Sequence, residues 1–407
     1  MNRNILDKEK EYGLVLEGGG AKGAYQIGVW KALLEHQIKI KAVAGASVGA
    51  LNGALICMQD VHKAISLWKN ISYSKVMDID DTIMEKVMEL ELKEVPTARV
   101  LSFLFKTIQD RGFDVTPLKK LIEDTIDEDK IRNGDIEFWL TTNNLSDRKV
   151  EKLSAKDIPE GQMKDYLLAS AYFPAFRLEK LNGKYYLDGG TTNNVPIDLL
   201  IDQGYKDIIV IRIFGPGLEK RTKIPEDVMV YTIEPSIHLG NVLDFNTKKS
   251  YRNLKAGYFD GLRFIKGLIG SIYYIEDNMT ENQCLNALLE QTEAVKEELC
   301  MEYKDIQIEC FYRGLLEVIL PSIASQLKLD KRWNYKDLYV AMLEVAAKSL
   351  RVKKYETYTI TSLRQEIIRK YNKKGMGEEA KEELGQLEQL ILMLILGQSK
   401  NPPLLTV

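Results

Sequence analysis

Residues 12–36, YGLVLEGGGAKGAYQIGVWKALLEH, determine the class of fold. Tyr12–Leu16 is a short apolar run typical of a buried strand, and after a run of glycines a helix is predicted from Ala24 to about His36. The same order repeats at once, because Ala42–Gly45 predicts a second strand and Ala50–Met58 an apolar, Ala-rich helix. Alternating strands and helices pack as a mostly parallel sheet between two layers of helices. The sequence therefore predicts a three-layer α/β/α domain.

The remaining chain divides into two parts. Further strands are predicted at Ile136–Thr142, Lys149–Leu153, Tyr185–Leu187, Asp207–Phe214 and Val228–Ile233. From about residue 246 onward, apolar residues recur at helical spacing instead. We therefore expect an α/β domain over residues 10–265 and an all-α C-terminal region over residues 270–407. Residues 75–112, with long apolar side chains among charges, are a candidate lid.

Composition and charge exclude several classes of protein. The 407 residues carry a net charge of −3, and no basic stripe with interleaved aromatic residues indicates a nucleic-acid partner. The four cysteines have no CxxC spacing, which is typical of reduced thiols. The N-terminus lacks the apolar core of a secretory signal, and the longest apolar run, Leu390–Leu396, is far shorter than the roughly 20 residues that span a bilayer. We expect a cytoplasmic protein.

The first glycine motif has two uses in proteins. Gly18, Gly20 and Gly23 fit GxGxxG between a strand and a helix, as in dinucleotide-binding proteins. Those proteins also carry an acidic residue at the end of the second strand, and here that strand leads into a serine turn. No nucleotide cofactor is therefore expected. The other use is an oxyanion hole, in which backbone N–H groups stabilise a developing negative oxygen.

The second glycine motif surrounds a candidate nucleophile. Gly45, Ser47 and Gly49 fit GxSxG at a predicted strand-to-helix turn, where a sharp bend exposes the serine hydroxyl. The glycines are needed because side chains beside the serine would collide at such a bend. Val48 would direct its N–H towards the oxyanion.

A general base is needed to take the proton of Ser47. The chain has three histidines, and of these only His238 follows the serine in the chain order of a conventional triad. A carboxylate that ends a strand is the stronger candidate: Asp188, followed by Gly189 and Gly190 in KYYLDGGTTNN. A carboxylate can deprotonate a serine if burial raises its pKa and if small neighbours permit close approach. His238 stays as the alternative base.

In this order, GGGAKG, GASVG and DGG resemble the motifs of the patatin-like phospholipase family, over roughly residues 10 to 215. The resemblance implies that Ser47 is the nucleophile of a serine–aspartate dyad and Asp188 its general base. It also implies that Gly18, Gly19 and Gly20 donate to the oxyanion. Lys22 stands where the family commonly has arginine, which keeps the charge but loses the planar fork.

The family resemblance also implies a reaction and a substrate. The protein would hydrolyse the acyl ester of a phospholipid or another lipid through an acyl-enzyme, as a phospholipase A or lysophospholipase does, with no cofactor or metal. A lipid substrate suggests transient contact with a membrane surface, for which residues 100–108 and 261–275 are the candidate segments. The alternative is a catalytically silent lipid- or partner-binding module on the same fold.

Overall fold

The computed structural model describes residues 6–92, 112–303, 310–374 and 384–397. The chain forms two compact units, Met1–Ile265 and Lys266–Val407. The described strands of the first unit are β1 Glu11–Leu16, β2 Lys39–Ala46, β3 Glu137–Asn144, β4 Lys149–Ser154, β5 Tyr186–Asp188, β6 Asp207–Ile211 and β7 Met229–Ile233. Its described helices are α1 Ala24–Glu35, α2 Val48–Cys57, α3 Val61–Lys69, α4 Asp81–Leu92, α5 Thr116–Thr125, α6 Glu128–Arg132, α7 Met163–Ser170, α8 Ile197–Asp202 and α9 Thr247–Lys266.

All seven of these strands join one sheet, in which β4, β3, β2, β1, β6 and β7 lie side by side in that order. Strands β1, β2, β3, β6 and β7 are parallel, whereas β4 and β5 run antiparallel to β3. Helix α8 packs on one face of the sheet, against Val15 and Val210 among others. Helix α2 packs on the other face, where Gly53 approaches Val43 and Phe138. The predicted mostly parallel α/β architecture is confirmed.

The second unit is built mainly of helices, as predicted. Its described helices are α10 Glu281–Glu293, α11 Lys296–Glu302, α12 Phe311–Gly314, α13 Leu320–Gln326, α14 Tyr335–Ser349, α15 Ile360–Lys374 and α16 Gln386–Leu396, with a π-helical turn at Leu315–Ile319. They surround a hydrophobic core that includes Leu343, Ile391 and Leu394. Two short parallel strands, Tyr274–Glu276 and Thr357–Thr359, form a small sheet that was not predicted from the sequence.

Two features concern the candidate lid and the membrane. Within residues 75–112, Asp81–Leu92 is helical, while residues 93–111, and with them the apolar segment 100–108, lie outside the described residues. Across the described ranges, every helix is too short or too polar to cross a bilayer.

Candidate active site

The sheet itself brings Ser47 and Asp188 together. Strand β2 pairs with residues 137–141 of β3 and then ends, so that Ser47 leaves the sheet there. The short antiparallel strand β5 pairs with residues 142–144 of β3. Because β4 covers the opposite edge of β3 over residues 139–144, β5 must occupy the edge that β2 has vacated. The end of β5, at Asp188, therefore meets the end of β2.

Ser47 has the strained backbone that its motif predicts. Its φ of 56° and ψ of −128° lie in a region that L-residues other than glycine rarely adopt. The flanking glycines permit this turn: a Cβ on Gly45 would lie 2.3 Å from the carbonyl carbon of Gly49, and one on Gly49 would lie 2.2 Å from the carbonyl oxygen of Leu16. The sharp turn is therefore encoded locally.

The hydroxyl of Ser47 donates a hydrogen bond of 2.5 Å to Oδ2 of Asp188. The second carboxylate oxygen, Oδ1, accepts from the N–H of Gly190 at 2.7 Å. The side chain is almost fully buried. Burial raises the pKa of Asp188 from its ordinary value of 3.8 to about 6, against the lowering effect of these two hydrogen bonds. A carboxylate with this pKa is ionised near neutral pH and is a better proton acceptor than an exposed one.

Ser170 supports the serine turn from a different helix. Its Oγ accepts a hydrogen bond from the N–H of Ser47 at 3.1 Å and donates to the carbonyl oxygen of Thr141 at 2.8 Å. Ser170 thus connects the turn at Ser47 to β3. It was not predicted from the sequence, because a serine at the end of an ordinary helix carries no local signal of this role.

The glycine loop lies directly beside Ser47, since a Cβ on Gly18 would lie 3.1 Å from the Cβ of Ser47. Of its three predicted oxyanion donors, Gly18 already has a hydrogen-bond acceptor. The N–H of Gly18 donates to the carbonyl oxygen of Asn194 at 3.1 Å and is therefore engaged. The N–H groups of Gly19 and Gly20 have no acceptor within the described part of the chain.

Glu17, which precedes these glycines, was not predicted to have a role at the site. This buried carboxylate accepts hydrogen bonds from three successive N–H groups, those of Ile213 at 2.6 Å, Phe214 at 2.9 Å and Gly215 at 3.1 Å. It also pairs with Arg212 at 3.0 Å. These contacts fix the chain after β6 against the glycine loop. Its position directly before the three glycines was the only feature of the sequence that pointed to such a role.

Lys22 takes part in the same contact, between the glycine loop and the loop that follows β6. Its ammonium donates to the carbonyl oxygen of Phe214 at 2.6 Å. Partial burial lowers the pKa of Lys22, while Glu17 acts in the opposite direction. The cation therefore holds the loop that follows β6 against the glycine loop.

A cavity of about 180 Å³ lies beside the serine, lined by Ser47, Asp188 and the three glycines of the loop. Most of the remaining lining is apolar: Leu51, Leu55, Leu67, Trp68, Ile71, Val76, Leu118, Leu121, Ile122, Ile126, Phe173, Pro174, Phe176, Val242, Leu243 and Phe245. Such a surface gains free energy by covering hydrocarbon and offers few partners to polar groups.

The three histidines lie elsewhere. His238 is exposed and accepts from the N–H of Gly240 at 3.3 Å, while Nδ1 of His36 contacts the carbonyl oxygen of Ala32. His62 is exposed on α3. None of the three lines the cavity that contains Ser47. The alternative of a conventional triad thus lacks a histidine in the cavity that contains Ser47.

Comparison with known proteins relates a large part of the first unit to one protein family. Residues 14–201 match the model of the family described as patatin-like phospholipase. Residues 14–201 thus form a patatin-like phospholipase domain, as the three motifs predicted.

Two curated relatives and one solved structure are similar to this chain. The neuropathy target esterase sws of Drosophila melanogaster is 28% identical over 205 residues, which cover 49% of this chain and 12% of that protein. Its counterpart in Drosophila virilis is 28% identical over 190 residues, covering 45% of this chain and 11% of that protein. The chain therefore spans only a small part of these relatives. The crystal structure of VipD from Legionella pneumophila aligns over 96% of this chain and 92% of its own, at 16% identity and a TM-score of 0.40.

Proposed function

We propose that this protein is a lipid acyl hydrolase in which Ser47 is the nucleophile and Asp188 the general base. The observation that carries the proposal is the 2.5 Å hydrogen bond from Ser47 Oγ to Asp188 Oδ2 beside a mainly apolar cavity. The family of residues 14–201 supports the same chemistry. The substrate class is a fatty acyl ester, and a phospholipid is the form we expect.

In the first step Asp188 accepts the proton as Ser47 Oγ attacks the ester carbonyl. The carbonyl π electrons move to the oxygen, which becomes an oxyanion. When the tetrahedral intermediate collapses, the bond to the alcohol breaks, and Asp188 returns the proton to that leaving oxygen. The products are an acyl-enzyme at Ser47 and a free alcohol or lysolipid.

The oxyanion needs donors at the place where negative charge develops. We assign this role to the N–H groups of Gly19, Gly20 and Val48, because that of Gly18 is engaged by Asn194. A donor of this kind contributes about 10²–10³ in rate. Since these are backbone groups on tight turns, they are fixed before substrate arrives.

In the second step a water molecule attacks the acyl carbonyl. Asp188 accepts its proton, the acyl–oxygen bond to Ser47 breaks, and the proton passes to Ser47 Oγ. The fatty acid is released and the resting hydrogen bond is restored. The apolar cavity would hold the acyl chain during both steps.

The test measures hydrolysis of acyl esters from short chains to phospholipids by the wild type, Ser47→Ala, Asp188→Asn and His238→Ala. We expect the first two variants to lose activity by about 10³-fold or more and the third to retain it. Retained activity in Ser47→Ala would refute the proposal. Inactivity of the wild type on the whole series would favour the catalytically silent binding module.

A further inference from the structure

The loop of residues 212–224 borders the cavity. It follows the carboxyl end of β6, and Pro216 and Gly217 contribute to the cavity lining. Glu17 and Lys22 hold its first part against the glycine loop. The first part of the 212–224 loop is therefore held in a defined position beside the cavity.

This loop presents large apolar side chains to solvent. Phe214 is 51% exposed and Leu218 is 67% exposed, and Ile224 is exposed as well. Single exposed apolar residues are common on protein surfaces, but a group beside a binding cavity marks an interaction surface. Neither Phe214 nor Leu218 is part of the cavity lining.

Phe214 has a strained backbone conformation. Its φ of 49° lies in the left-handed region, where a bulky residue is strained and glycine would be favoured. Its N–H donates to Glu17 and its carbonyl oxygen accepts from Lys22, so the strained conformation is held from both sides. Strain of this kind is typical of functional positions.

The charged side chains of the 212–224 loop indicate which kind of partner this surface would bind. Arg212 is paired with Glu17 and with Glu219 of the same loop, and Lys220 is paired with Asp198. Arg221 and Lys223 are exposed, and within the described ranges neither has an ion-pair partner. Exposed aromatic and aliphatic side chains on the same segment as unpaired cations are the composition of surfaces that bind anionic lipid bilayers.

Of the two predicted membrane segments, residues 261–275 do not form an accessible apolar surface. Leu262, Ile265, Leu268, Ile269 and Tyr273 are all buried. The interfacial composition of that segment thus reflects core packing, which is its usual cause.

We propose that the 212–224 loop docks the protein on an anionic phospholipid bilayer, with Phe214 and Leu218 inserted among the acyl chains and Arg221 and Lys223 at the headgroups. Docking here would place the cavity mouth at the lipid surface. This delivery of substrate to Ser47 rests on the proposed function, whereas the binding itself does not.

The test uses vesicles of phosphatidylcholine, alone or mixed with phosphatidylserine, in a co-sedimentation assay. All binding is measured in the Ser47→Ala background, so that the vesicles stay intact. Phe214→Asn with Leu218→Ser removes the apolar groups, and asparagine tolerates the left-handed backbone. We expect about tenfold weaker binding or more to the mixed vesicles. Arg221→Gln with Lys223→Gln should weaken that binding by about fivefold for each cation.

Met229→Ser is the matched control. Met229 is 50% exposed, but it lies at the amino end of β7, whereas the residues that directly follow β6 lie at the carboxyl end of these parallel strands. This variant should bind vesicles as the parent does. Equal binding by the parent and the Phe214/Leu218 variant would overturn the proposal, because the membrane would then be bound elsewhere. No binding by the parent would overturn it as well and would favour another protein as the partner of this surface.

A second measurement separates this proposal from the proposed function. With Ser47 intact, the Phe214/Leu218 variant should hydrolyse a soluble short-chain ester at the wild-type rate but lose activity on vesicle phospholipid. Vesicle binding in the Ser47→Ala background gives an answer even if no ester is hydrolysed. Each proposal can therefore fail without the other.

Discussion

Asp188→Asn should make the protein more stable and inactive at the same time. In the wild type, burial raises the pKa of Asp188 from 3.8 to about 6, so the folded state resists its ionisation. That difference corresponds to about 3 kcal/mol at pH values where the carboxylate is charged in both states. An asparagine is uncharged, nearly isosteric, and can still accept from the N–H of Gly190 and donate to Ser47.

The sign of the pH dependence follows from the raised pKa. Between pH 3.8 and about 6 the folded wild type binds a proton that the unfolded chain has lost, so its stability falls as the pH rises through this range. Below pH 3.8 both states are protonated, and the cost disappears. The advantage of Asp188→Asn should therefore approach about 3 kcal/mol at pH 8 and vanish below about pH 3.

Calorimetry of the wild type and Asp188→Asn at a series of pH values measures this difference. For a unit of this size, about 3 kcal/mol corresponds to a rise in Tm of roughly 6–12 °C at pH 8. Asp124→Asn, which neutralises an exposed carboxylate, is the control and should change stability by less than about 0.5 kcal/mol. A gain in Tm that does not depend on pH, or a loss at pH 8, would refute the reasoning.

Three further predictions concern the same region. The kcat/KM of the wild type should rise about tenfold per pH unit and level off above pH 6, because Asp188 must be ionised; a profile that is flat from pH 4 to 8 would contradict its role as base. Gly49→Ala places a Cβ 2.2 Å from the carbonyl oxygen of Leu16, so we expect a lower Tm on thermal unfolding, and an unchanged Tm would speak against so close an approach at the serine turn. Glu17→Ala leaves three N–H groups without their acceptor and leaves Arg212 paired with Glu219 alone, so it should cost about 3 kcal/mol in denaturant unfolding, whereas a cost below about 1 kcal/mol would show that the contact is dispensable.

The sequence by itself determined the local parts of this protein. Tyr12–Leu16 and the glycines after it specify a strand, a tight turn and a helix, because those residues have few other favourable conformations. GxSxG likewise predicts the strained turn at Ser47. Even so, β2 begins at Lys39 and not at Ala42, since Lys39 and Lys41 are exposed and interrupt the continuous apolar run by which the strand was predicted.

Only the tertiary structure decided how these parts meet. Ser47 and Asp188 are 141 positions apart, and their hydrogen bond exists because β5 takes the edge of β3 that β2 leaves free. Long-range pairing also engages the Gly18 N–H with Asn194 and holds Phe214 in its exposed, strained position. The physical reason is that local preferences act over a few residues, whereas strand pairing and buried hydrogen bonds depend on which distant segments the fold brings together.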